Sequence, residues 1–233
     1  MTIRPWSPAD TPTVRKIMKS GIIDNIQPAF VTYCCKSTFI ALTFASSILI
    51  SAIIQGSPMP NAKLFFWSTA VALAIFVLTY SLLMVAGLLY FHLFCRDLDD
   101  IGAEYMKAGR SHFWVAELDQ AIVGIVALVD TAAKRCDNSN MTKFHDRRVA
   151  WLRRLAVVKD YRRCGVAQAL VDECVKYCHR NDFDSIQLIT TEMQEASMRL
   201  FKRLNFTLLS FKPYQYAKVV TVWTYEFIYN LRD

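Results

Sequence analysis

Charge-free stretches set the pattern of the chain. From Ser37 to Ala62, and again from Leu64 to Cys95, there is no Asp, Glu, Lys or Arg. The first run, Ser37 to Ile54, reaches about 27 Å as a helix, just enough for a hydrocarbon core of about 30 Å. Gly56, Pro58 and Pro60 then break the helix. The second run, Leu64 to about Phe94, is longer than one span needs, so it tilts or extends past the bilayer. The pattern predicts a two-segment transmembrane helical hairpin over 37–95, with a membrane as partner.

Outside that insert, strand and helix periods alternate. Thr2 to Trp6 reads as a short strand. Asp10 is an N-cap with Pro12 in the first turn, and Val14, Ile17 and Met18 form a helical stripe. Asp97 to Asp100 opens a helix carrying Ile101, Tyr105 and Met106, closed by Gly109. Ser111–Glu117 and Ala121–Val129 form a hairpin around Asp119-Gln120. After a polar loop, Asp130 to Arg148, come a strand at Val149–Val158, a helix at Gly165–Arg180, a strand at Ser185–Thr190 and a helix at Gln194–Leu204. Strand alternation closes the chain through Phe206–Leu208 and Val219–Tyr229. This order predicts an α/β fold, a β-sheet flanked by helices. Residues 1–36 supply its first strand and helix, 37–95 are inserted, and 96–233 supply the rest.

Composition narrows the partners. At 54% hydrophobic and 20% charged residues the chain is too apolar for disorder, and seven Gly and seven Pro exclude collagen-like repeats. A net charge of +7 suits an anionic partner, a phosphorylated cofactor or membrane surface; no motif points to nucleic acid. Seven cysteines at irregular spacing make no disulfide framework. His92, His112, His145 and His179 are scattered without ligand spacing, so no metal is expected. Arg4, Arg15, Lys16, Lys19 and Lys36 precede the insert and Arg96, Lys107 and Arg110 follow it, against only Lys63 in the connection. The positive-inside rule puts both flanks in the cytosol.

The most informative stretch is Leu155-Ala156-Val157 followed by Arg162-Arg163-Cys164-Gly165-Val166-Ala167: an apolar strand, a basic turn and a helix start. Unpaired N–H groups and the macrodipole make a helix N-terminus an anion site, and small residues let a pyrophosphate approach the backbone. Arg162 to Ala167 resembles the (Gln/Arg)-x-x-Gly-x-(Gly/Ala) acetyl-CoA motif of the GNAT superfamily of N-acetyltransferases. Leu155-Ala156-Val157 resembles that family's strand that pairs with the pantetheine arm. The hairpin Phe113–Glu117 with Ile122–Gly124, and Leu200-Phe201-Lys202-Arg203-Leu204-Asn205-Phe206, are similar to further family segments. The apolar insert and the ending Phe227-Ile228-Tyr229 resemble the camello-like membrane-bound group, which includes cysteine-S-conjugate N-acetyltransferases.

The resemblance implies a GNAT-type mixed sheet, acetyl-CoA as co-substrate, a small amine as acceptor (the amino group of cysteine S-conjugates or a related amino acid, lipophilic conjugates among them), and an endoplasmic reticulum enzyme facing the cytosol. It leaves two other readings open: a protein lysine N-acetyltransferase, or a catalytically weak CoA-binding relative. Two positions depart from the family. Phe201 stands where the motif has its tyrosine acid, and Trp151 stands where many members carry a glutamate base. Glu117, Asp130 and Glu192 are the replacement base candidates, with Tyr214 or Tyr216 as acid. Arg153 and Arg154 are expected to meet the cofactor or an acidic substrate, with one of the two facing solvent.

Overall fold

The computed structural model describes residues 1–35, 37–55, 61–107, 109–131, 148–216 and 220–232. The helix break at 56–60, Lys36, and the polar loop from 132 to 147 with His145 lie outside the described residues. The chain divides into two compact units, one of Met1–Gly21 with Phe94–Asp233, the other of Ile22–Leu93.

The first unit is built on strands β1 (Thr2–Pro5), β2 (His112–Leu118), β3 (Ala121–Asp130), β4 (Val149–Val157), β5 (Ser185–Thr191), β6 (Thr207–Tyr216) and β7 (Val220–Asn230). They form one mixed sheet in the order β1-β2-β3-β4-β5-β7-β6. Only β4 and β5 run parallel; the other neighbours are antiparallel. The β2–β3 turn places Asp119 and Gln120 at φ 48° and 65°, the two left-handed residues that a tight hairpin with right-handed strand twist requires.

Helix α4 (Val166–Arg180) buries Val166, Leu170, Val171, Cys174 and Cys178, an i, i+4 stripe. Its first turn lies so close to β3 that a Cβ on Gly124 would stand 2.9 Å from Val166 Cγ1 and 3.0 Å from Leu170 Cδ1. Helix α5 (Glu195–Arg203) buries Phe201. It ends as Asn205 turns left-handed at φ 62° and the Phe206 N–H donates to Phe201 O at 3.0 Å. These helices cover a core of Trp114, Val126, Leu128, Leu152, Ile186, Leu188 and Phe227.

On the opposite face Tyr105 packs edge-on against Phe113 at 5.4 Å, and Val14, Leu98 and Ile101 are fully buried. The expected helix after Asp97 is instead a 3-10 turn, Arg96–Leu98, and a single π-turn, Gly102–Met106. Asp100, not Asp97, caps the second turn by accepting the Ala103 N–H at 2.9 Å. Asp10 likewise does not cap a long helix. It ends a 3-10 turn, Pro8–Asp10, and accepts the Ser7 N–H and hydroxyl at 2.8 and 3.0 Å. Arg4 joins the same carboxylate at 2.7 Å and reaches Glu117 on β2 at 2.6 Å, tying β1 to its neighbour.

Helix α1 (Thr11–Cys34) starts in this unit and runs through Pro28. The second unit takes its later turns with α2 (Ser37–Gln55) and α3 (Asn61–Phe94). Phe30 stands edge-on to Phe76 and Tyr80, at 6.3 and 5.3 Å. Phe44, Ile48, Leu49, Ile53, Leu73 and Leu82 are exposed to more than half of their area. Among the described residues one helix, Phe66–Phe94, is long and apolar enough to cross a membrane.

Candidate active site

Strands β4 and β5 share three rungs, Val149↔Ser185, Ala150↔Ile186 and Trp151↔Gln187. Beyond Trp151 the two strands part, while β4 continues to Val157 paired to β3 alone. One edge of β4, from Leu152 to Val157, therefore faces a gap. The β3 register jumps from Ile125↔Ala156 to Ala127↔Arg153, so β4 bulges at 154–155. Arg154 sits in the bulge at φ 56°, a left-handed conformation that costs a residue with a Cβ.

A buried clamp holds that bulge. Arg154 donates from Nε and Nη2 to the two Asp97 oxygens at 2.9 and 2.6 Å, and from Nη2 to Phe94 O at 2.7 Å. Its side chain is 7% exposed and that of Asp97 14%. Burial pushes the Asp97 carboxyl up, but hydrogen bonds and charge from Arg154 outweigh it and hold the group below its ordinary value. The Tyr105 hydroxyl donates to the same carboxylate. Both neighbouring arginines are thus accounted for on this face: Arg154 is sequestered, while Arg153, half-buried, adds its charge around Asp97 and Tyr105.

The open edge of β4 leads into the turn before α4. The Val158 N–H donates to Val123 O at 2.9 Å and Arg162 Nε to Val157 O at 3.1 Å. Arg163 and Gly165 take φ 63° and 80°. The first α4 bond runs from Ala169 N–H to Gly165 O at 3.0 Å, so the N–H groups of Val166, Ala167 and Gln168 point out of the helix end. No atom lies within 4 Å of where a Gly165 Cβ would be. That free space, beside outward N–H groups and the exposed Arg162, Arg163 and Cys164, fits a pyrophosphate. Leu155, Ala156 and Val157 are half-buried along the gap, and Val166 turns into the core. The nine residues expected to meet the cofactor thus form one ribbon from open strand edge to helix end.

The expected acid and base residues are dispersed. Glu117 lies two strands from β4 and is held by Arg4. Asp130 is buried, accepts from Arg110 at 3.2 Å, and its N–H donates to the Ser111 hydroxyl oxygen at 3.0 Å. Glu192 follows β5, with its N–H on Trp223 O at 3.0 Å and its Oε1 buried without a partner. Tyr214 is exposed on β6 opposite Val222, and Tyr216 ends that strand opposite Val220. Phe201 is a core ring, 5.3 Å from Phe206 and 6.4 Å from Phe227. Trp151 is buried at the last β4–β5 rung.

Of two residues that sequence reasoning passed over, one lies in that rung and the other two residues beyond it, opposite Ile189. Gln187 is 2% exposed with Nε2 unpartnered, and Glu226 on β7 is 5% exposed with Oε1 unpartnered. The Ser210 hydroxyl donates to the other Glu226 oxygen at 2.9 Å. The available signal was a lone acidic residue within the strand Val222-Trp223-Thr224-Tyr225-Glu226-Phe227-Ile228. Among the described residues no three His, Cys, Asp or Glu side chains are grouped as metal ligands.

Known proteins match this arrangement. Residues 83–206 match the acetyltransferase (GNAT) family. The chain is 27% identical over 207 residues to N-acetylaspartate synthetase of Xenopus tropicalis, covering 88% of this chain and 68% of that protein. It is 28% identical over 138 residues to human N-acetyltransferase 8, covering 59% and 57%, so it spans little more than half of that relative. It is 23% identical over 206 residues to the Xenopus tropicalis protein described as a probable N-acetyltransferase camello, covering 88% and 85%. Among solved structures, a GNAT-family acetyltransferase of Staphylococcus aureus superposes with a TM-score of 0.53 at 14% identity, covering 99% of both chains. Salmonella typhimurium yncA, solved with its cofactor acetyl-CoA, gives 0.52 at 14% identity, covering 100% and 95%; at this identity the likeness is one of fold. The open edge of β4, the glycine turn and the family match agree: the chain belongs to the acetyltransferase (GNAT) family, camello-like N-acetyltransferases included, enzymes that take an acetyl group from acetyl-CoA.

Proposed function

We propose that this chain is a membrane-bound N-acetyltransferase acting on the amino group of a small amino acid, cysteine S-conjugates among them. The observation that carries this reading is the unpaired edge of β4 running directly into the open helix end at Gly165. Bound acetyl-CoA supplies an activated acetyl thioester. In this reading the β4 backbone at Leu155, Ala156 and Val157 pairs with the pantetheine arm, and Arg162, Arg163, Cys164, Gly165, Val166 and Ala167 surround the pyrophosphate. A β4 amide donates to the acetyl carbonyl oxygen, where charge develops during transfer.

The relatives' names support an amino acid acceptor, since one is an N-acetylaspartate synthetase. The apolar exterior of α2 and α3 supports membrane residence, because so many exposed apolar side chains are unfavourable in water. A lipophilic conjugate concentrates at the same bilayer. The flanking basic residues favour an endoplasmic reticulum hairpin with the catalytic unit in the cytosol. Release of free CoA by the purified protein across a panel of amines tests the reading. Turnover with amino acids supports it, and turnover confined to lysine-bearing peptides would replace it with protein acetylation.

A further inference from the structure

Beyond the last shared rung, Trp151↔Gln187, the β4 arm of the gap carries a positive charge and β7, paired with the far edge of the β5 arm, a negative one. Arg153 lies two residues past Trp151 on β4. Ile189 lies two residues past Gln187 on β5 and pairs with Glu226. Each charge is therefore about 7 Å beyond the rung at ~3.3 Å per residue. Glu192 is five residues past Gln187, about 16 Å away along the strand, and Glu117 is engaged by Arg4.

The charges also share a sheet face. Leu152, Leu188 and Phe227, the alternate residues, enter the core that α4 and α5 cover. Side chains alternate along strands, so Arg153, Gln187 and Glu226 face the other way, where Arg153 acts on Asp97 and Tyr105. Arg153 forms no ion pair among the described residues. Glu226 is held by Ser210 through one oxygen, and its second is buried without a partner, as is Gln187 Nε2. A carboxylate oxygen left so is costly unless a donor arrives.

We propose that these groups read the acceptor as an α-amino acid, Glu226 binding the amino nitrogen and Arg153 the α-carboxylate across the gap, with Gln187 donating to an acceptor oxygen. The inference rests on the reading of the gap as the transfer site. The ammonium gives one proton to Glu226. The nitrogen then bonds to the thioester carbonyl carbon as the carbon–sulfur bond breaks, the thiolate takes the second amine proton, and Glu226 returns its own to water.

The test uses the full chain in detergent with acetyl-CoA and paired acceptors: S-benzyl-L-cysteine against 2-(benzylthio)ethylamine, and L-aspartate against β-alanine. The wild type is expected to prefer the α-amino acid of a pair. Arg153→Met should lower its kcat/KM roughly 10- to 100-fold, leave the decarboxylated partner unchanged and so erase the preference, which Arg153→Lys partly restores. Glu226→Gln, isosteric and therefore foldable, should slow both members of a pair by about 10²-fold. Calorimetric acetyl-CoA affinity stays at the wild-type value in all three. Full activity in Glu226→Gln, or equal loss on both members in Arg153→Met, overturns this inference and leaves transfer at the gap standing. A wild type that binds no acetyl-CoA overturns both.

Discussion

Arg154 and Asp97 form a two-point ion pair, Nε and Nη2 on the two carboxylate oxygens at 2.9 and 2.6 Å, which holds the β4 bulge in place. The pair joins residues 57 apart in sequence, and it sits on the strand whose open edge is the proposed pantetheine rail. Removing one partner leaves the other charged and buried, a cost of about 3–5 kcal/mol. Arg154→Met is expected to lower unfolding free energy by that amount in denaturant titrations and to weaken acetyl-CoA binding as the bulge relaxes. A variant within about 1 kcal/mol of wild type would mean that the bulge holds itself.

Gly124 sets the depth at which α4 meets the sheet. A methyl there overlaps Val166 Cγ1 at 2.9 Å, in the same turn whose N–H groups are proposed to meet the pyrophosphate. Gly124→Ala is expected to cost about 1–3 kcal/mol, as overpacking does, and to raise KM for acetyl-CoA more than it lowers kcat. A change in kcat alone would separate the helix position from cofactor binding.

Acid should unfold the catalytic unit in two stages. Burial holds His112, stacked at 5.3 Å on Tyr177, below the ordinary imidazole value. As pH falls through about 6.5 the unfolded chain takes up this proton first and stability declines. Hydrogen bonds from Arg4 bring Asp10 down to about 2, so its contribution is complete above the unfolded carboxylate value and is lost as pH falls toward 2. Asp97, depressed by Arg154, acts in the same direction. With Arg4 half-exposed, the Asp10 share is about 1–2 kcal/mol. Arg4→Met should flatten the loss of Tm between pH 5 and 3; an unchanged slope would assign it elsewhere.

The register of β1 on β2 carries a topological consequence. Residues Met1–Gly21 belong to the same compact unit as Phe94–Asp233, with Ile3 opposite Ala116. In the proposed membrane-bound reading, the segment between them must therefore leave the bilayer on the side it entered. Tags at both ends of the chain should be digested together when protease is added to intact microsomes. Protection of one tag alone would break the β1–β2 pairing as a feature of the inserted protein.

Local signals made the architecture readable. The Asp119-Gln120 hairpin, the α4 stripe and the glycine turn each show in a few adjacent residues, and each forms with the expected bounds to within a residue or two. What the sequence concealed depends on distant pairs. Asp97 reads as a helix cap until Arg154 takes its carboxylate. Lys212, Pro213 and Gln215 mask the strand period of β6, because an edge strand tolerates proline and polar residues. Glu226 looks like one more surface acid until the sheet order puts β7 beside β5 and buries it.

The central claim, that the open β4 edge and the α4 N-terminus receive acetyl-CoA, is tested most directly by calorimetric titration of acetyl-CoA into the wild type and Gly165→Asp. The aspartate fills the free space beside the helix end and brings a like charge to the phosphates. The wild type is predicted to bind with one site per chain and the variant, melting within a few degrees of it, to show no binding. Equal affinity in a folded Gly165→Asp protein would contradict the account.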